Sequence, residues 1–389
     1  MKKVVIKVIV LIACLLMPIL KPQEAGAQND VVQSNKLEQC CFEGLEEMLS
    51  HIAANPDLYH TTIEGRLRIM SPVAINVPER STEYTITHLP IVDDTNRVIL
   101  IYTIINTDNG VSTSIGPAFS LLLNCAIENE CKTVCLLQSQ YSFYAITEKA
   151  VYLQTGQTIQ KLNGVDSLPK EIFALYDSGE CNYTTLQIDK SLSVLTSGIS
   201  NKDVSVDSTF SSTRSGSGYL PNYPIVGQKI GNVQYSMCWA AVVASMVRYE
   251  KPTIYGSLTA KNVCDYMNIG YNDGGLLIDV KNALSHYLGG NYVPTIYQSV
   301  LSQSQIQTVI DNNDPAYMET KKIYEITLQR HGVALISYNF TGSNTYVGIM
   351  DPAYETYSLS TYNQGNGWTF PFGNDVYKWT RTVRLLYSN

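Results

Sequence analysis

Cys238-Trp-Ala-Ala-Val-Val-Ala-Ser-Met-Val-Arg-Tyr249 is the stretch on which the reading of this chain turns. Its residues are small or apolar on nearly every side, and Pro252 follows shortly after, so the run predicts a helix buried at the centre of a domain. A cysteine opens that helix. The unpaired backbone N–H groups of a first helical turn and the helix dipole favour the thiolate form of such a residue. A thiolate nucleophile then needs a base and donors for a developing oxyanion.

Downstream, His331-Gly-Val-Ala-Leu-Ile-Ser-Tyr338 alternates as a strand, Asn339 to Asn344 reads as a turn, and Tyr346-Val-Gly-Ile-Met350 reads as the returning strand. In such a hairpin, His331 and Asp351 fall side by side at one end, where Asp351 can accept from the imidazole and hold its tautomer. Asn339 is the alternative orienting residue, but it belongs to the turn at the far end of the strand. His286, on an amphipathic helical stretch, reads as structural, and Cys264 as a core residue or disulfide partner. Helices are expected near 36–54, 258–268 and 276–288, and strands at 97–105, 141–146 and 150–153. The order of helices first and antiparallel strands later in the second half gives an α+β fold class.

Gln234-Tyr-Ser-Met-Cys238-Trp-Ala-Ala241, the His331 strand and Tyr346-Val-Gly-Ile-Met-Asp351-Pro352, in that order, resemble the nucleophile, histidine and orienting segments of papain-like cysteine peptidases. The resemblance is to the bacterial branch with staphopain, streptopain and the double-glycine leader peptidases, and it covers about residues 220–389. It implies a two-lobed catalytic domain, a Cys238–His331–Asp351 triad and hydrolysis of peptide bonds without metal or organic cofactor. The family usually carries its oxyanion glutamine six residues before the cysteine, where this chain has Asn232. Two glutamines stand near, Gln228 in Val226-Gly227-Gln228 and Gln234, and Gln228 is preferred because a loop insertion is easily accommodated. Trp368 is the candidate for an aromatic shield over the His–Asp pair.

The rest of the chain is read around that domain. Lys2, Lys3 and Lys7, an apolar run from Val8 to Leu20 and Ala25-Gly26-Ala27 read as a signal peptide over 1–27, hence secretion. Lipidation at Cys14 fits less well, because Leu15 to Leu20 stay apolar after it. No segment is long and apolar enough to predict a membrane span. Residues 28–200 read as a first unit, β-rich over 65–155, and 201–219, with Ser208 to Gly218 nearly all small and polar, read as a linker. The net charge of -7 divides into +3 over 1–27, 0 over 216–389 and therefore -10 over 28–215. No basic surplus points to nucleic acid. Cys125, Cys131 and Cys135 cluster, with Cys181 nearby, so disulfides are expected there. No histidine lies among them, which argues against zinc.

The expectation is a secreted cysteine endopeptidase made as a zymogen, acting on proteins or peptides. Residues 28–200 would be its intramolecular inhibitor, and a cut between about 205 and 222 would release a fragment of about 170 residues. Arg214 suits a trypsin-like activator, and Ser215 to Gly218 suit self-cleavage. Two rival readings keep other functions open: a papain-like acyl transferase or deamidase, and a secreted binding protein with a non-hydrolytic domain of this kind.

Overall fold

The computed structural model describes residues 42–387 apart from 43, 60, 64, 79–81, 140–141, 187–215, 324–328, 342–344 and 364. The expected signal peptide, Cys14 and most of the expected linker lie outside the described residues.

The predicted central helix is Cys238–Glu250. Every residue from Cys238 to Val247 is buried, as a helix apolar on all sides requires. Lys251 leaves helical geometry and Pro252 begins a new turn, which ends the element. Helices Ala260–Met267 and Leu277–Leu288 pack against it. Thr259 caps the first of these through the Asn262 backbone N–H in a reciprocal capping box.

The strands are antiparallel as expected, and strands from both halves of the chain lie in one sheet. One sheet runs from Arg68–Ile69 through Tyr84–Val92, Val98–Thr107 and Gly110–Gly116 into Thr356–Asn363, Tyr346–Asp351, Arg330–Asn339, Ala316–Lys322, Asp375–Arg384 and Thr295–Tyr297. The seam between the halves is the pairing of Ile115 with Leu359 and Ser114 with Ser360. Side chains reinforce it. Ser114 donates to the Leu359 carbonyl at 2.8 Å, and the Thr113 N–H donates to the Thr361 hydroxyl at 2.9 Å. Core residues from both halves, such as Leu49, Tyr102, Met246 and Val347, belong to one hydrophobic cluster. Burial of this kind is the main stabilising term in a fold, so the seam is part of the core rather than a loose contact.

A second sheet holds Thr184–Thr185, Thr133–Ser139, Ser142–Ile146, Val151–Thr155 and Thr158–Leu162, with Ile75–Asn76 parallel to Thr133–Ser139. The predicted hairpin around 141–153 is present as Ser142–Ile146 paired with Val151–Thr155. After the undescribed stretch the chain resumes as a short strand, Ser217–Tyr219, paired with Ser337–Asn339. Leu220 is fully buried behind it. The last part of the expected linker is therefore built into the sheet.

Candidate active site

Cys238 is the first residue of its helix, and Met237 before it offers no side-chain cap. The first-turn N–H groups are left for other partners. Gly275 lies so close to the Trp239 indole that no side chain fits there, and this contact fixes the helix start.

His331 is the second residue of the strand Arg330–Asn339, and Asp351 ends the strand beside it. The imidazole Nε2 lies 2.9 Å from Asp351 Oδ1. The same oxygen accepts the Ala353 N–H at 2.9 Å, so the turn begun by Pro352 orients the carboxylate. Cys238 lies near enough to the ring to raise its affinity for a proton. Cys238, His331 and Asp351 are 8%, 3% and 5% exposed, so the three meet in a region closed to bulk water. Burial alone lowers the affinity of His331 for its proton. The Asp351 charge and hydrogen bond, together with Cys238, outweigh it and push the ring up to about 10.

The structure brings both candidate glutamines to the Asp351 turn. Gln228 donates its backbone N–H to the Pro352 carbonyl at 3.2 Å. Its side-chain amide, fully buried, donates to the Tyr235 carbonyl at 2.9 Å. Tyr235 returns its N–H to the Gln228 carbonyl at 3.0 Å. Between them, Lys229–Ile230 and Val233–Gln234 form a small hairpin turning at Gly231, whose φ is +60°. Residues 229–234 are thus looped out, and Gln228 is carried to the residues just before Cys238. Gln234 donates its side-chain amide to the Ala353 carbonyl at 2.6 Å.

One expectation is corrected, that of Trp368 as the aromatic shield. The aromatic rings beside His331 are Phe372 and Tyr377, at 5.6 and 5.8 Å between centroids. Trp368 instead packs against Tyr362 and Phe340. Asn339 donates to the Tyr346 hydroxyl at the opposite end of the His331 strand. Tyr317 escaped the sequence reading. It is buried, and its hydroxyl would lie 2.6 Å from a Cβ at Gly332. No sequence signal marks it, since only strand pairing aligns Tyr317 with Ala334 and so near Gly332. His286 stacks on Tyr266, away from this cluster, and Cys264 is fully buried in its helix.

The first half of the chain touches the same segments. Gln138 donates to the Phe372 carbonyl at 3.1 Å and accepts the Asn374 N–H at 2.8 Å. Phe143 stacks on Tyr354 at 5.3 Å. Gln157 donates its side-chain amide to the Tyr354 carbonyl at 2.9 Å and its backbone N–H to Glu355 at 3.3 Å. Glu355 also pairs with Lys229 at 2.7 Å. A cavity of about 550 Å³ opens at this seam between Tyr59, Pro117, Gln157, Ile225, Gly227 and Lys229. Among the described residues no group of three or more His, Cys, Asp or Glu is arranged to hold a metal ion, and no helix is long and apolar enough to cross a membrane.

No family model matches the chain, and no curated protein matches it. Among solved structures, digestive procathepsin L 3 of the Tenebrio molitor larval midgut is similar at 12% identity, over 42% of this chain and 69% of that one, with a TM-score of 0.29.

Proposed function

We propose that the chain is a cysteine peptidase of papain-like architecture, exported as a precursor whose first half restrains the second. The observation that carries this reading is the 2.9 Å contact of His331 Nε2 with Asp351 Oδ1, with Cys238 at a helix start near the same ring. A sulfur beside a protonated imidazole reacts as the thiolate. In this mechanism Cys238 Sγ attacks the peptide carbonyl carbon, and the electron pair of the C=O bond moves to oxygen. The Cys238 N–H and the amide of Gln228 receive that oxyanion, once Gln228 has given up the Tyr235 carbonyl. His331 passes its proton to the leaving amine, and a thioester remains. Water, losing a proton to His331, attacks the thioester and releases the acid and the thiolate.

Latency follows from the same geometry. Gln138, Phe143 and Gln157 hold the chain on either side of His331 and Asp351, and these contacts support a restraint of the site by the first half. The test is titration of the activated protein with an epoxysuccinyl peptide. Labelling of Cys238 at one equivalent, with matching loss of proteolysis, supports the reading. Proteolysis that survives full labelling of Cys238 rejects it.

A further inference from the structure

The second sheet holds a pair of sulfurs that the catalytic reading does not use. Cys135 lies mid-strand in Thr133–Ser139 and is fully buried. Cys181 lies in the segment leading from helix Lys170–Asp177 into strand Thr184–Thr185, which pairs back onto Thr133–Val134. That return brings the two cysteines into one small cluster. Both pack in the same small apolar cluster, with Leu137, Ile146 and Ile172. Both are free thiols in this structure.

The surroundings hold the pair in register. Asn76 donates to Cys135 Sγ at 3.6 Å, to the Leu136 carbonyl at 2.9 Å and to the Asn182 carbonyl at 3.0 Å. It also accepts the Asn182 N–H at 2.8 Å. One buried amide therefore clamps the strand bearing Cys135 to the residue next to Cys181. Cys181 Sγ is held 3.3 Å from the Leu175 carbonyl at the end of its helix. Cys125 and Cys131, by contrast, flank a helix end against Tyr152, and Cys131 Sγ faces the Asn129 carbonyl at 3.9 Å.

We propose that Cys135 and Cys181 are the site of a structural disulfide, formed by exchange with a small-molecule or protein disulfide of an oxidising compartment. Two S–H bonds break and one S–S bond forms. The two protons and two electrons pass to the donor disulfide, which leaves as two thiols. The bridge closes the loop containing helix Lys170–Asp177 onto the strand whose Gln138 grips Phe372 and Asn374. It therefore stiffens the platform that the first half presents to the His331 region. A covalent link of this kind acts chiefly by restricting the unfolded chain.

The bridge is tested on the full chain without reference to activity, so its failure and that of the peptidase reading are separable. The protein is incubated with glutathione disulfide, blocked with N-ethylmaleimide, digested and analysed by mass spectrometry. A linked peptide pair containing Cys135 and Cys181, lost on reduction, is expected. Oxidised wild type should melt roughly 5 °C above the reduced form, and Cys181→Ala, a mild change at a half-buried site, should abolish that difference. Recovery of Cys135 and Cys181 as maleimide adducts after oxidation, or of either one bridged to another cysteine, overturns the proposal.

Discussion

Gln138 donates its side-chain amide to the Phe372 carbonyl at 3.1 Å, and the Phe372 ring lies 5.6 Å from the imidazole of His331. A residue from the first half of the chain is thus one side chain away from the candidate general base. Removing it should loosen the restraint more than it harms the fold. Gln138→Ala leaves the Asn374 N–H without its acceptor, at a cost of about 1–3 kcal/mol. The uncut variant should hydrolyse a fluorogenic peptide faster than the uncut wild type. Equal latency in both would mean that this contact does not restrain the site.

Cys238→Ala should abolish hydrolysis and inhibitor labelling while the protein stays folded. One small buried sulfur is lost, a change of roughly 1 kcal/mol. Circular dichroism with an active-site titration checks this, and residual proteolysis in the Ala variant would move the nucleophile elsewhere.

Asp351 should set turnover and a pH-dependent part of stability. Asp351→Ala should lower kcat by about 10²- to 10⁴-fold with a smaller effect on KM, because the imidazole loses its orientation. Asp351→Asn should retain more activity, since an amide still accepts from the ring. The folded-state value of His331, about 10, stands above its ordinary 6.5. Its contribution to stability is therefore full below pH 6.5 and is lost as pH rises towards 10. The melting temperature of wild type should fall across that window, and that of Asp351→Ala should fall less. Parallel curves would contradict the pairing.

Glu250, at the other end of the Cys238 helix, gives a second window. Burial pushes its carboxyl up to about 7, against the Tyr292 hydroxyl that donates to it, and Asp314 adds to the rise. The protonated form is favoured in the folded state, so this contribution is full below pH 4.5 and fades by about pH 7. Glu250→Gln should flatten the stability curve between those values. An unchanged slope in that range would assign it to other groups.

The oxyanion donor is decided by kinetics. Gln228→Ala should lower kcat about 10²-fold, whereas Gln234→Ala should act through its Ala353 contact and change kcat little. The reverse order of effects would exchange their roles.

Cutting the chain in the interval 205–215 should not by itself separate the halves. The Ile115–Leu359 pairing and the shared core do not depend on that connection. Size-exclusion chromatography of the nicked protein should show one species. N-terminal sequencing should find the cut before Gly216, because the Gly216 carbonyl accepts the Phe340 N–H and the next residues form a strand. Prompt dissociation on nicking would show that the seam is weaker than its ladder implies.

The sequence by itself determined the helix at Cys238 and the nearness of His331 to Asp351. Both are local matters: a run of small and apolar residues this long, closed by Pro252, reads as a buried helix, and a hairpin of known turn length aligns its own strand ends. The tail strands were also legible as strands, but not which of their aromatic rings meets His331. That choice, Phe372 and Tyr377 over Trp368, depends on the pairing of Gly367–Phe372 with Asp375–Arg384 and on how that hairpin lies over the sheet. Tyr317 was silent for the same reason. The hairpin that returns Gln228 to Tyr235 could be suspected from spacing, but its closure rests on two hydrogen bonds that spacing does not encode. Only the tertiary structure decided that strands from both halves share one sheet. The register of Ile115 against Leu359 joins residues far apart in the chain, and an alternating apolar pattern says which face of a strand is buried, never which strand lies beside it.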